Sequence, residues 1–401
     1  MLKQNQLKTR EPSNSKTNPS SGNSHFIPGL EGVIAAQSRL SYINGQAGEL
    51  IIAGFPVEEI APRASFEEMT YLLWNDRLPN RQELDEFRAR LAKERRLPAI
   101  ALDVLKAAAA QRVPAMDALR MGAGTLSLSK PAPTSDDTLF AEGAALLARI
   151  PTMIAAYWRL LHRQAPIEPR PDLSHAANYL YMLSGDEPSP QRTRALDTYL
   201  NTVIDHGLNA STFTALVIIS TGSDLVSAIV GAIGALKGPL HGGAPGPALN
   251  TVFEIGEASR AESVLRAKLD RNERLMGFGH RVYRARDPRA DVLAAAAERL
   301  YQNGGDMALY NLAKSVEQTA LRLLAEYHPE RKLQTNVEFY TALVLHGLAL
   351  PTDLFSPTFA ASRTAGWIAH CEEQREQNKL IRPSSEYIGV RGRRWVPVEA
   401  R

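Results

Sequence analysis

The polarity pattern opens on a short alternation. In "RLSYINGQAGELIIAG" (Arg39 to Gly54) two β-prone runs face each other across Asn44, Gly45 and Gly48, which tolerate left-handed turn angles, and the spacing predicts a β-hairpin. Beyond it the period lengthens to that of a helix. Ser65 and Glu68 stand at capping-box spacing, and Phe66, Met69, Leu72 and Leu73 form one apolar stripe closed by Pro79. Leu84, Phe87 and Leu91 repeat the stripe before Pro98, and "FAEGAALLARIPTMIAAYWRLLHR" and "AANYLYMLSG" continue it. From Thr212 to Gly238 the chain is apolar on nearly every side, which predicts helices buried in the centre of a large all-α body.

The texture changes at "GPLHGGAPGP" (Gly238 to Pro247), where seven of ten residues are Gly or Pro. A hinge is expected there. The expected architecture is all-α with a small N-terminal hairpin: a large helical domain from 26–238 and 344–401, and a smaller helical domain from 239–343.

Composition narrows the classes of function. The 46 Lys and Arg residues nearly balance 43 Asp and Glu, a formal charge of +3, so no nucleic-acid footprint is present and anion binding must come from local clusters. Cys371 is the only cysteine, which excludes an internal disulfide and a cysteine-ligated metal site and fits a reducing, cytoplasmic setting. No run of about 18 uninterrupted apolar residues occurs, so neither a spanning helix nor a membrane partner is expected. Residues 1–25 are rich in Ser, Asn and Lys and predict a disordered tail; the amphipathic arginine spacing of an organellar transit peptide is missing.

Candidate chemistry gathers where histidine meets glycine. His206 in "DHGLNAST", His241 in "GPLHGGAPG" and His280 in "GFGHRVYR" stand in polar or glycine-rich breaks, where backbone can approach a ligand and a ring can be presented to it. Each alone equally suits a structural imidazole. Neither "GFGHRV" nor "GAIGALKG" has the spacing of a nucleotide-binding loop. Arg281, Arg284, Arg286 and Arg289 follow His280 closely, and a cationic setting disfavours a zinc ion on the three histidines and Glu338. Such arginines suit an anion with several carboxylates or phosphates, gripped by planar guanidinium forks, and Arg363 and Arg382 add two more in small-residue settings. Glu338 in "NVEFYTALV" is a carboxylate in an apolar stretch. It reads either as a base whose pKa burial raises or as a helix-start carboxylate near Asn336.

These segments, "GPLHGGAPG", "GFGHRVYRARDPRAD", "NVEFY" and "FAASRTAGWIAH...LIRPSSEYIG", resemble the citrate synthases in order and spacing over roughly 28–390. The length and hairpin are similar to the shorter, dimeric bacterial and archaeal type. The resemblance implies a two-domain all-α fold that closes over oxaloacetate, binds acetyl-CoA, condenses the two and hydrolyses citryl-CoA. It implies no resident cofactor, since the coenzyme A thioester is a substrate. His241 would hydrogen-bond the thioester oxygen, His280 would polarise the ketone, and Glu338 would be the base. Arg289, Arg363 and Arg382 of the partner subunit would hold the carboxylates, assisted by His206, while Arg284 and the loop of Leu275, Gly277 and Gly279 would meet coenzyme A. One departure is plain: the family's base is usually aspartate, and glutamate is one methylene longer. A 2-methylcitrate synthase using propionyl-CoA, and a sensor that binds oxaloacetate without turnover, are the alternatives. Removing residues 1–25 is expected to leave activity and melting temperature unchanged, because nothing apolar anchors them; a clear fall in either would show that they dock.

Overall fold

The computed structural model describes residues 26–129, 138–242, 245–280 and 282–401, so the expected N-terminal tail and Arg281 lie outside the described residues. Ser38–Arg382 form one compact unit; among the described residues, 26–37 and 383–401 make up the other, which carries only the short turns Pro28–Leu30 and Val398–Ala400.

The hairpin forms where alternation predicts it. Strand β1 (Ser41–Asn44) pairs antiparallel with β2 (Glu49–Ile52), with Tyr42 opposite Ile51, and β2 pairs with the two-residue β3 (Phe55–Pro56). Leu50 and Ile52 point inward and are fully buried. All else among the named elements is helical: α1 (Val57–Ile60), α2 (Phe66–Asn75), α3 (Arg81–Glu94), α4 (Ala99–Ala110), α5 (Ala115–Gly124) and α6 (Thr138–Leu161). There follow α7 (His175–Ser184), α8 (Pro190–Val203), α9 (Ala210–Ser220), α10 (Leu225–Leu236), α11 (Pro245–Ile255) and α12 (Ala261–Asp270). The last four are α13 (Pro288–Gln302), α14 (Met307–Tyr327), α15 (Val337–Gly347) and α16 (Phe355–Glu376).

Local chemistry explains the boundaries. Ser65 caps α2 through a complete capping box with Glu68, Asn80 does the same for α3 with Glu83, and Asp287 caps α13 with Pro288 in the first turn. Helix α16 threads the core with fifteen buried residues from Phe355 to Cys371, Trp367 among them, and packs on α2, α6, α8, α9 and α10. Part of α6, Glu142–Leu161, is long and apolar enough to cross a membrane, yet 67% of its apolar window is buried inside the protein, as in a core helix.

The segment 212–238 departs from its expectation of burial all round. Phe213, Val217 and Ile218 of α9 and Val230 of α10 remain half-exposed, because the chain's own helices cover only the opposite faces. Ser65→Ala removes the cap of α2 and is expected to cost about 1 kcal/mol. Urea unfolding would show this as a lower midpoint with an unchanged slope, and an unchanged midpoint would mean the capping box adds nothing.

Candidate active site

The three histidines predicted from their glycine settings sit on three separate loops, and the fold brings two of them into ring contact. His206 lies in the turn between α8 and α9, and its ring stands edge-on to that of His280 at 5.8 Å. His241 follows α10. The charge of Arg363, from the middle of α16, acts on His206, His241 and Glu338, and that of Arg289 acts on His206, His280 and Glu338, so these groups share one electrostatic field.

Backbone donors set the protonation of two rings. His280 Nδ1 accepts from the N–H groups of Val282 (3.0 Å) and Tyr283 (3.1 Å), and since a backbone N–H only donates, this nitrogen is unprotonated and the neutral ring carries its proton on Nε2. Burial first, then Arg289, pull its pKa down to about 4 against the opposing effect of Asp287. For His241 the logic runs the other way. The N–H of Ser211 approaches its Nε2 at 3.3 Å and the Ser211 hydroxyl at 2.8 Å, which leaves the proton on Nδ1. Burial and then Arg363 hold it near 4 as well. At neutral pH both rings are uncharged donors of opposite tautomer. His206 is also kept neutral, by burial and then by Arg289, with its Nε2 3.2 Å from the hydroxyl of Tyr283.

The two arginines are buried. Arg289 is forked onto the Asp287 carboxylate, Nε to Oδ1 at 3.0 Å and Nη2 to Oδ2 at 2.8 Å, and Nη2 also faces His280 Nε2 at 3.5 Å. Two donors side by side at that separation suit an anionic oxygen lying to one side, within hydrogen-bond reach of both. Arg363 donates Nε to the Val203 carbonyl at 2.8 Å, while its buried Nη1 has no hydrogen-bond partner among the described residues. Burial lowers its pKa to about 10, so it remains a cation.

Glu338 occupies the first turn of α15, where Asn336 caps the helix by accepting its N–H at 3.0 Å. It is a helix-start carboxylate and half-buried. Burial pushes its pKa up to about 7, Arg289 and Arg363 work against the rise, and Asp287 adds to it.

Other predicted positions are less converged. Gly277 and Gly279 take left-handed backbone angles, φ 92° and 77°, in a loop tied to the start of α15 by Asn336 N to Gly277 O (3.0 Å) and Gly279 N to Gln334 O (2.7 Å). Leu275 is buried, and the side chain of Arg284 is exposed. Arg382 is exposed and has no ion pair among the described residues. The expected crowd of arginines at His280 reduces, among described residues, to Arg289, because Arg286 is drawn away to Asp291 (2.6 Å) and Glu317 (3.1 Å). No group of three or more metal-ligating side chains converges among the described residues. Several contributors went unpredicted: Ser211 and Tyr283, which bond the histidines, and Asp205, whose carboxylate meets buried His370 at 3.1 Å beside His206. Asp287 alone had a signal, the Asp-Pro of a helix start.

A family profile described as citrate synthase, C-terminal domain, matches residues 29–384. Citrate synthase 2 of Bacillus subtilis is 42% identical over 375 residues, covering 93% of this chain and 98% of that protein. The 2-methylcitrate synthase of Shewanella oneidensis is 36% identical over 375 residues, covering 93% and 97%. Citrate synthase from Thermoplasma acidophilum, solved as a ternary complex with carboxymethyl coenzyme A and oxaloacetate, superposes with a TM-score of 0.83 at 30% identity, over 92% of this chain and 98% of that one.

The raised pKa of Glu338 carries a sign. An unfolded glutamate ionises near 4.5 and the folded one near 7, so the folded state binds more protons between these values and loses stability as pH rises through the window. Glu338→Gln is therefore expected to melt several degrees above the parent at pH 8, with the gain shrinking toward pH 5. Calorimetry at both pH values tests this, and a gain independent of pH would contradict it.

Proposed function

The chain belongs to the citrate synthase family, and we propose that it condenses acetyl-CoA with oxaloacetate and hydrolyses the resulting citryl-CoA to citrate and coenzyme A. One observation carries the mechanism: two neutral imidazoles of opposite tautomer stand with a carboxyl poised near 7 in the field of two buried arginines.

A thioester methyl is a weak carbon acid. Its proton is removed only when a base and a donor to the developing enolate oxygen act together, away from water. Glu338 is the base; with its pKa near 7 it binds the proton more firmly than an ordinary glutamate and is still partly ionised at neutral pH. The Nδ1–H of His241 donates to the thioester oxygen as charge builds there. Oxaloacetate is held by Arg289 and by the unpartnered Nη1 of Arg363, with His206 assisting, and its ketone oxygen accepts from His280 Nε2–H. The enolate carbon attacks the polarised carbonyl carbon; a C–C bond forms as the C=O π bond breaks, and the oxygen, which stays on that carbon, takes the proton from His280 to become the hydroxyl of citryl-CoA, after which water returns a proton to His280. Water then cleaves the thioester. The reaction needs no resident cofactor.

Gly238–Pro247 is the hinge on which residues 239–343 close over oxaloacetate, which delays the acetyl-CoA site until it is needed. The half-exposed apolar faces of α9 and α10 support a homodimer, and exposed Arg382 supports its use across that interface by the partner's site. Leu275, Gly277, Gly279 and Arg284 form the coenzyme A edge. A cytoplasmic setting fits the lone, buried Cys371. Acetyl-CoA is favoured over propionyl-CoA because the citrate synthase relative stands at 42% identity and the methylcitrate synthase at 36%.

Coenzyme A release from each thioester with oxaloacetate is the direct test. Acetyl-CoA is expected to give the higher kcat/KM, and Glu338→Gln to abolish release while oxaloacetate still binds. A parent that binds oxaloacetate without turnover would make it a sensor, and near-normal turnover in Glu338→Gln would place the base elsewhere. For the dimer, mixing inactive Arg382→Ala and inactive Glu338→Gln subunits is expected to restore part of the activity. No recovery would refute the shared site.

A further inference from the structure

One strand of the N-terminal hairpin reaches both loops that bring His206 and His280 together. At its start, the Ser41 hydroxyl donates to Asp205 Oδ2 at 2.5 Å and accepts the N–H of Gly207 at 2.8 Å, so it clamps the residues on either side of His206. At its end, the Gly45 carbonyl accepts the N–H groups of Arg284 (2.8 Å) and Ala285 (3.4 Å). The N–H groups of Val282 and Tyr283 are those that hold His280 Nδ1. Four consecutive backbone donors are thus divided between the histidine and the turn. Contact is close enough that a Cβ on Gly45 would lie 2.2 Å from the Val282 carbonyl oxygen, a gap that only glycine permits.

The strand is itself firmly anchored. Asn44 Oδ1 shapes the turn by accepting from Gln46 N (3.2 Å) and Ala47 N (3.1 Å), and the partner strand β2 is fastened by fully buried Leu50 and Ile52. A short, rigid element with polar contacts at both ends therefore joins the His206 turn to the His280 loop.

We infer that the hairpin is a positioning clasp for the reaction centre, with Ser41 fixing the turn of His206 and Gly45 fixing the loop that sets the tautomer and direction of His280. The inference rests on the citrate synthase reading and adds to it two positioning residues remote in sequence from the signature motifs. Neither touches substrate. Their effect passes through the two imidazoles, so polarisation of the oxaloacetate ketone depends on a turn more than 230 residues upstream of His280.

The test measures coenzyme A release and the infrared carbonyl stretch of bound 13C-labelled oxaloacetate in the parent, Gly45→Ala, Ser41→Ala and Ser41→Thr, each normalised to folded protein. In the parent, the stretch is expected to lie below its value in water, because His280 Nε2–H draws on the oxygen. Gly45→Ala pushes the Val282 carbonyl away, so kcat is expected to fall by about tenfold to a hundredfold, the range a displacement near 1 Å produces, with the stretch returning toward its value in water. Ser41→Ala is expected to raise KM for oxaloacetate several-fold, and Ser41→Thr, which keeps the hydroxyl, to restore it. Should Gly45→Ala fail to fold, the Ser41 pair decides. Variants that match the parent in kcat, KM and carbonyl stretch overturn the clasp, as does a loss in Ser41→Ala that threonine does not repair. A parent that neither binds oxaloacetate nor releases coenzyme A overturns the citrate synthase reading first and the clasp with it.

Discussion

Two buried guanidinium groups within each other's field set the terms for the whole site. Burial keeps the nearby histidines neutral and repulsion by Arg289 and Arg363 adds to it, while the same two charges stabilise the carboxyl of Glu338 against part of its desolvation cost. The fold supports the pair asymmetrically. Arg289 is matched by Asp287 in a two-bond fork, whereas Arg363 relies on Asp205 at longer range and keeps one buried nitrogen without a partner. Asp205 is itself tied to buried His370, whose pKa rises against the pull of burial chiefly because this carboxylate faces it. A buried donor of this kind is costly to leave without a partner. In the proposed reaction a substrate carboxylate supplies that partner, which would join substrate binding to charge balance.

Much of this was legible along the chain, and what was legible shares a cause. The hairpin, the Ser65–Glu68 capping box and the stripe of α2 depend on neighbours close along the chain, no further than from Ser41 to Ile52, and they form as the pattern predicts. His241, His280, Glu338 and Arg363 stood out because each interrupts a glycine-rich, small-residue or apolar stretch, and Arg289 because it belongs to the run of arginines after His280. Their protonation was not legible. It is decided by backbone N–H groups, which every residue but proline carries and no composition marks, and by partners such as Tyr283, 77 positions from His206. The arginines after His280 were overcounted for a related reason. Glu317, which captures Arg286, lies 31 residues downstream on α14 and gives no local sign of reaching back. The uniform apolar run of 212–238 hid a different fact, since a sequence that is apolar on all sides does not say which side its own chain covers.

Glutamate at 338 places base strength and reach in tension. The first turn of α15 presents the positive end of the helix dipole, which favours an ionised carboxylate and so weakens it as a base, although its first two N–H groups are already taken by Asp287 and Asn336. An aspartate there holds its charge one bond closer to that end. In Glu338 an extra methylene separates the carboxylate from that helix end, and desolvation dominates, so its pKa stands at about 7. As the base of the proposed reaction, a carboxylate of that strength would take a proton from carbon with less of an energetic mismatch, while the longer arm would bring an added rotatable bond to be frozen before transfer. The loop of Gly277 braces the backbone on both sides of Glu338: Gly277 lies close against Phe339, the next residue, and its carbonyl accepts the N–H of Asn336, the cap before it. The backbone that carries the longer side chain is thus held by the segment that also carries His280.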